Sequence, residues 1–85
     1  MLWRVIYREG IVLDSDTFST FEEAWSYSRM FPEESLHIPY DSWRYIAKKD
    51  AEEAFKKGPR LVVAWVPDSN VEITMYRYIT PEALV

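Results

Sequence analysis

The sequence predicts an α+β domain, a two-layer sandwich in ββααββ order, with a four-stranded sheet and two helices packed on one face. Three observations predict it. Both ends of the chain alternate apolar and polar residues with the period of a strand. Its middle holds two stretches with apolar residues three and four apart. Gly, Pro and Asp/Asn clusters punctuate the boundaries.

Leu2 to Tyr7 alternates and is rich in β-formers, as a strand requires. Glu9-Gly10 predicts a tight turn, after which Ile11-Val12-Leu13 returns as a short second strand, ended by Asp14-Ser15-Asp16. Thr20 and Glu23 have the spacing of a capping box. Phe21, Ala24, Trp25, Ser28 and Phe31 then recur at helical spacing until Pro32, which pushes its predecessor out of the α region and predicts a stop. Residues 32–40 are irregular, with room for one turn at Glu33-Glu34-Ser35-Leu36. A second helix is expected from a cap at Asp41 or Ser42 to Gly58-Pro59. Its apolar stripe is Trp43, Ile46, Ala47, Ala51, Ala54 and Phe55, with Glu52–Lys56 and Glu53–Lys57 on the wet side.

Leu61 to Val66 is an unbroken apolar run between Pro59 and Pro67, which suits a central strand covered on both faces. Asp68-Ser69-Asn70 supplies a turn, and Val71 to Ile79 alternates as the last strand. Thr80-Pro81-Glu82 resembles another helix start; the tail to Val85 either docks as a single turn or frays.

At 85 residues the chain is expected to form one domain, 1–85. A domain of this size hides only about 60–65% of the surface that its unfolded chain exposes, so the core must be thin. The absence of cysteine excludes a disulfide framework, a thiolate zinc site and a thiol nucleophile, and favours a reducing compartment. Residues 1–8 lack the continuous apolar stretch of a signal peptide, and no segment approaches the roughly 20 apolar residues of a membrane span. The expectation is a soluble, cytoplasmic chain without membrane association.

The formal charge is −4 and unevenly spread. Between Asp14 and Glu34, six carboxylates face one arginine, a net of −5, whereas Asp41 to Arg60 holds six basic and four acidic residues, a net of +2. Net negative charge argues against a general nucleic-acid binder, whose affinity comes mainly from cations displacing counterions.

Catalytic patterns are missing. His37 is the single histidine and, without cysteine partners, makes a poor metal site. No serine has nucleophile-elbow context, and Gly10 and Gly58 stand too far apart for a phosphate loop. The pairs Asp14/Asp16, Glu22/Glu23, Glu33/Glu34 and Glu52/Glu53 fall at turns, a helix start or wet helical faces, where capping and solvation explain them. The reading is a non-enzymatic protein with no metal, cofactor or small-molecule substrate.

One surface attracts a functional reading. If Val66 pairs with Val71, then Ala64 faces Ile73 and Val62 faces Met75 beneath the helices. Leu61, Val63 and Trp65 then share the outer face with Tyr76, Thr74 and Glu72, and Tyr78 follows in the same strand. Trp3, Val5 and Tyr7 extend this face if the first strand presents its odd residues there. Such an aromatic face fits a protein partner or a homodimer. A register slip of one residue, or a C-terminal tail over Trp65, would remove it. An alternative is an inhibitor of phage or mobile-element type, whose acidic surface of Asp14, Asp16, Glu22, Glu23, Glu33 and Glu34 blocks a basic nucleic-acid site on an enzyme. A second alternative is single-stranded nucleic-acid binding by the sheet aromatics, with Arg4, Arg8, Arg60 and Arg77 near the phosphates. Against it stands the lack of the Lys/Arg-Gly-aromatic signature of the common RNA-binding sheet.

Overall fold

The N-terminal alternation closes into a hairpin longer than the sequence suggests. The fold is given by a computed structural model that describes residues 2–35 and 37–78. Strand β1 (Leu2–Glu9) pairs antiparallel with β2 (Val12–Phe18) from Glu9↔Val12 to Trp3↔Phe18. Gly10 turns the chain at a φ of +59°, a conformation that glycine adopts without a Cβ penalty, and its N–H donates to the Asn70 carbonyl at 2.8 Å. Asp14-Ser15-Asp16 does not end the hairpin. It lies inside β2, because an edge strand pairs on one side only and keeps polar side chains in water.

Helix α1 (Phe21–Glu34) begins as expected at Thr20, whose hydroxyl accepts from the Glu23 N–H at 3.2 Å and donates to the Glu23 carboxylate at 2.9 Å. Pro32 does not stop it. The ring sits in the last turn, where one helical hydrogen bond is forgone, and its complete burial holds the turn in place. Glu33 and Glu34 therefore continue α1 instead of forming a separate turn; Leu36 lies outside the described residues.

Where the sequence predicts the start of the second helix, the chain instead forms a turn and a short strand. Tyr40–Ser42 forms a 3₁₀ turn, and Arg44–Tyr45 forms strand β3, pairing antiparallel with β4 (Arg60–Val66). Helix α2 is confined to Lys48–Phe55, followed by β4 and then β5 (Val71–Tyr78). Among the described residues the order is thus ββαβαββ, with five strands and not four. Trp43, Ile46 and Ala47 fall at helical spacing, but Trp-Arg-Tyr-Ile is also strand-forming, and β4 has an edge to satisfy. The Ile46 N–H accordingly donates to the Val63 carbonyl at 3.1 Å. Arg29 of α1 fixes this segment: its guanidinium lies between the Trp25 and Tyr45 rings, 4.4 and 4.5 Å from their centroids, and donates to the Ile46 carbonyl at 2.7 Å.

All five strands join one antiparallel sheet, ordered β2-β1-β5-β4-β3. Both helices pack on one face. Trp3 of β1 meets Phe21 of α1 and Phe55 of α2 edge-on, at 5.2 and 5.0 Å between centroids. Val5, Ile73 and Met75 lie fully buried on the sheet beside it. The odd residues of β1 therefore face the helices, and Trp3, Val5 and Tyr7 do not extend the outer face. Ile79 and the tail from Thr80 to Val85 fall outside the described residues.

Ile73, fully buried in the central strand, sets the expected scale of core damage. Ile73→Ala should lower the unfolding free energy by about 2–5 kcal/mol. Removing the α1 cap with Thr20→Ala should cost about 1 kcal/mol. Urea titration followed by circular dichroism measures both, and equal losses would contradict this distribution of burial.

Candidate functional site

Directly opposed residues of an antiparallel sheet share a face, so the pairings fix what the side away from the helices carries. Leu2 pairs with Tyr78 in a first row. The next row runs Thr17, Arg4, Tyr76, Arg60 across β2, β1, β5 and β4. A row of Ser15, Ile6, Thr74 and Val62 follows, and then Leu13, Arg8, Glu72, Trp65 and Arg44. Two rows bearing arginine and aromatic side chains thus bracket a smaller, less polar one.

Of the residues expected here, Trp65, Tyr76 and Tyr78 share the face, but Leu61 and Val63 do not join them. A β-bulge is the cause. Val66↔Val71, Trp65↔Glu72 and Ala64↔Ile73 hold the expected register, but between Ala64 and Val62 the strand carries one extra residue, Val63. The register then shifts, so that Val62 opposes Thr74 on the outer face and Leu61 opposes Met75 beneath the helices. Val63 is buried within the core.

Trp65 is 38% exposed, an unusual cost for so large an apolar side chain. It borders a depression of 650 Å³ shared with Arg8, Glu72 and the 67–70 turn, where Asp68 holds a φ of +61°. The Tyr76 and Tyr78 rings lie 6.1 Å apart in nearly parallel planes. The Arg60 Nε donates to the Tyr76 hydroxyl at 3.2 Å, which raises the guanidinium pKa further and keeps the charge in place. Arg4 donates to the Ser15 hydroxyl at 3.3 Å, and Arg44 to the Asp41 and Trp43 carbonyls at 3.3 and 3.2 Å. Arg8 approaches Glu72 at 4.0 Å. Four arginines against one glutamate give the paired face a net of +3 in a chain of −4. Arg44 enters through β3, where the sequence predicts helix. Arg77 is on the other side, donating to the Phe55 carbonyl.

The acidic candidates occupy the opposite side. Glu22, Glu23, Glu33 and Glu34 form the exposed stripe of α1 together with Ser26 and Met30. Asp14 and Asp16 lie on the helix side of β2, near Tyr27, whose phenol is raised first by burial and then by these two carboxylates. Glu22 pairs with Lys48, and Glu23 serves the cap of α1.

One further cluster joins Tyr7, Glu9 and His37. The Tyr7 hydroxyl donates to Glu9, whose other oxygen lies 2.9 Å from the His37 Nε2. Burial, then the hydrogen bond and charge of Glu9, push the Tyr7 phenol up to about 12; hydrogen bonds from Tyr7 and His37 hold the Glu9 carboxyl below its usual value. The trio latches residue 37 onto β1. No group of three or more potential metal-ligating side chains gathers among the described residues, and none of their helices is long and apolar enough to cross a membrane.

Comparison with protein-family models, curated proteins and solved structures finds no match.

The latch has a pH signature. A lowered Glu9 pKa contributes stability above the normal carboxylate range, lost as pH falls through the folded value. A raised Tyr7 pKa contributes stability below 10.0, lost as pH rises through about 12. Urea midpoints across pH should therefore lose part of their acid slope in Glu9→Gln and part of their alkaline slope in Tyr7→Phe.

Proposed function

We propose that this chain is a small non-enzymatic interaction domain of the cytoplasm that engages its partner through the open face of its sheet. The observation that carries this reading is the placement of half-exposed Trp65 with Tyr76 and Tyr78 on the side that neither helix covers. Large aromatic side chains supply most of the energy at interfaces because they bury much area for few frozen rotamers. A chain with so little core gains nothing by leaving Trp65 in water unless something else covers it.

The arginines narrow the partner. Two copies docked face to face would oppose Arg4, Arg8, Arg44 and Arg60 to the same residues, so the homodimer is the poorer form of the proposal. A partner of opposite charge fits better. The acidic-inhibitor reading has one observation of its own, the single exposed stripe formed by the four α1 glutamates, with Asp14 and Asp16 on the same side.

Light scattering over a concentration series should return a monomer, and a dimer dissolved by Trp65→Ala would turn the face toward a second copy. Affinity capture then separates the two surfaces. The open-face reading expects capture to fail with Trp65→Ala and to survive Glu33→Lys/Glu34→Lys. The reverse pattern would transfer the function to α1.

A further inference from the structure

We propose that the open face is a platform for single-stranded nucleic acid. This rests on the face being the binding surface and goes beyond that reading by naming the ligand. Aromatic and cationic groups are spread across the strands of this face. Tyr76 and Tyr78 stand on β5, the middle strand of five, and Trp65 stands on its neighbour β4. The arginines flank them, with Arg4 and Arg8 on β1 to one side and Arg60 and Arg44 on β4 and β3 to the other. Bases stacked over a central aromatic column would send their phosphates toward those flanks.

Spacing supports the same ligand. Rows on one face are two residues apart, roughly 6.6–6.8 Å along the strands, a step that one nucleotide of an extended strand can bridge. Tyr78, Tyr76 and Trp65 occupy the first, second and fourth rows, so the aromatics form a line and not a cluster. Each of the two arginine rows places a cation on both sides of an aromatic ring: Arg4 and Arg60 about Tyr76, Arg8 and Arg44 about Trp65 and Glu72. Arg4, Arg44 and Arg60 form no ion pair among the described residues; their hydrogen bonds go to neutral oxygens and leave their charge uncompensated.

A rigid duplex, whose bases are stacked inside, cannot use the aromatic column. An acidic protein could meet the arginines, but it has no repeating planar group for the three rings. Stacking on an aromatic side chain tolerates any base, so weak sequence preference is expected.

The test is fluorescence anisotropy with a labelled oligothymidylate, using its duplex with oligoadenylate and polyglutamate as the other probes. The single strand should bind more tightly than the duplex, with a log–log salt slope of about −2 to −3 for three or four phosphates. Trp65→Ala should weaken binding about 5- to 150-fold, and Arg60→Gln should make the slope shallower by about 0.7. Circular dichroism confirms that each variant is folded, and Glu33→Lys, on the far side, controls for net charge. Equal affinity for single strand and duplex, or indifference to Trp65→Ala, would overturn the platform. Polyglutamate bound in place of the oligonucleotide and released by Trp65→Ala would overturn the nucleic-acid inference while keeping the face as an interface. No binding of either probe would overturn the inference and remove the charge argument beneath the broader reading.

Discussion

Trp3 is the point at which this small fold is tied together. Its ring meets Phe21 and Phe55 edge-on, which brings the two helices together at one position on the sheet. Edge-on aromatic contacts add about 0.5–1.5 kcal/mol each beyond the area they bury, a large share of what a thin core can supply. Around it the layer continues through Phe21 onto Trp25 and through Phe18, Tyr27 and Phe31 onto Tyr7. The aromatic richness of the sequence is therefore mainly a packing solution. Wide, flat side chains let a 14-residue and an 8-residue helix hold one face of a five-stranded sheet. What those helices cannot do is cover the other face, so any aromatic side chain found there needs a different explanation.

Which side chains reach that other face is decided by the bulge at Val63. Without it, alternation along β4 would carry Leu61 and Val63 to the outside with Trp65. The extra residue instead returns Leu61 to the core side and leaves only Val62 and Trp65 from the apolar run outside. On the other edge of β4 the pairing is regular: the Val63 carbonyl accepts from the Ile46 N–H, one step beyond Tyr45↔Ala64, where the short β3 ends. The bulge brings Arg60 to the outer face and the pairing of β3 brings Arg44, and together they make that face less apolar and more cationic than regular alternation along β4 would.

The parts of the fold that were legible are those with local causes. The capping box at Thr20 and Glu23, the turn after Val66 and the register Val66↔Val71 all follow from residues within a few positions of one another. The failures share a different cause. Trp43-Arg44-Tyr45-Ile46 satisfies helical and strand patterns alike, and only the distant edge of β4 and the Arg29 guanidinium decide between them. Pro32 is carried inside α1 by burial, Asp14 and Asp16 are tolerated in β2 by its edge position, and the bulge has no marker in an all-apolar run. The aromatic members of the site could be named from alternation, whereas the arginines could not be gathered until strand order placed β1 and β4 on either side of β5.

Strand order also changes what the net charge means. A count over the whole chain gives −4, but it averages two surfaces that a ligand never meets together. The α1 carboxylates stand beyond a helix about 10–12 Å across, and at physiological salt charges are largely screened over about 8 Å. A ligand on the sheet therefore experiences mainly Arg4, Arg8, Arg44, Arg60 and Glu72, a local excess of positive charge. The distant carboxylates act at longer range and lower salt, where they slow an anionic ligand approaching from the helix side and orient the molecule with its sheet toward the anion. On the nucleic-acid reading proposed above, the overall charge would suppress indiscriminate attachment to polyanions, and the aromatic side chains between the arginines would decide which polyanion is kept.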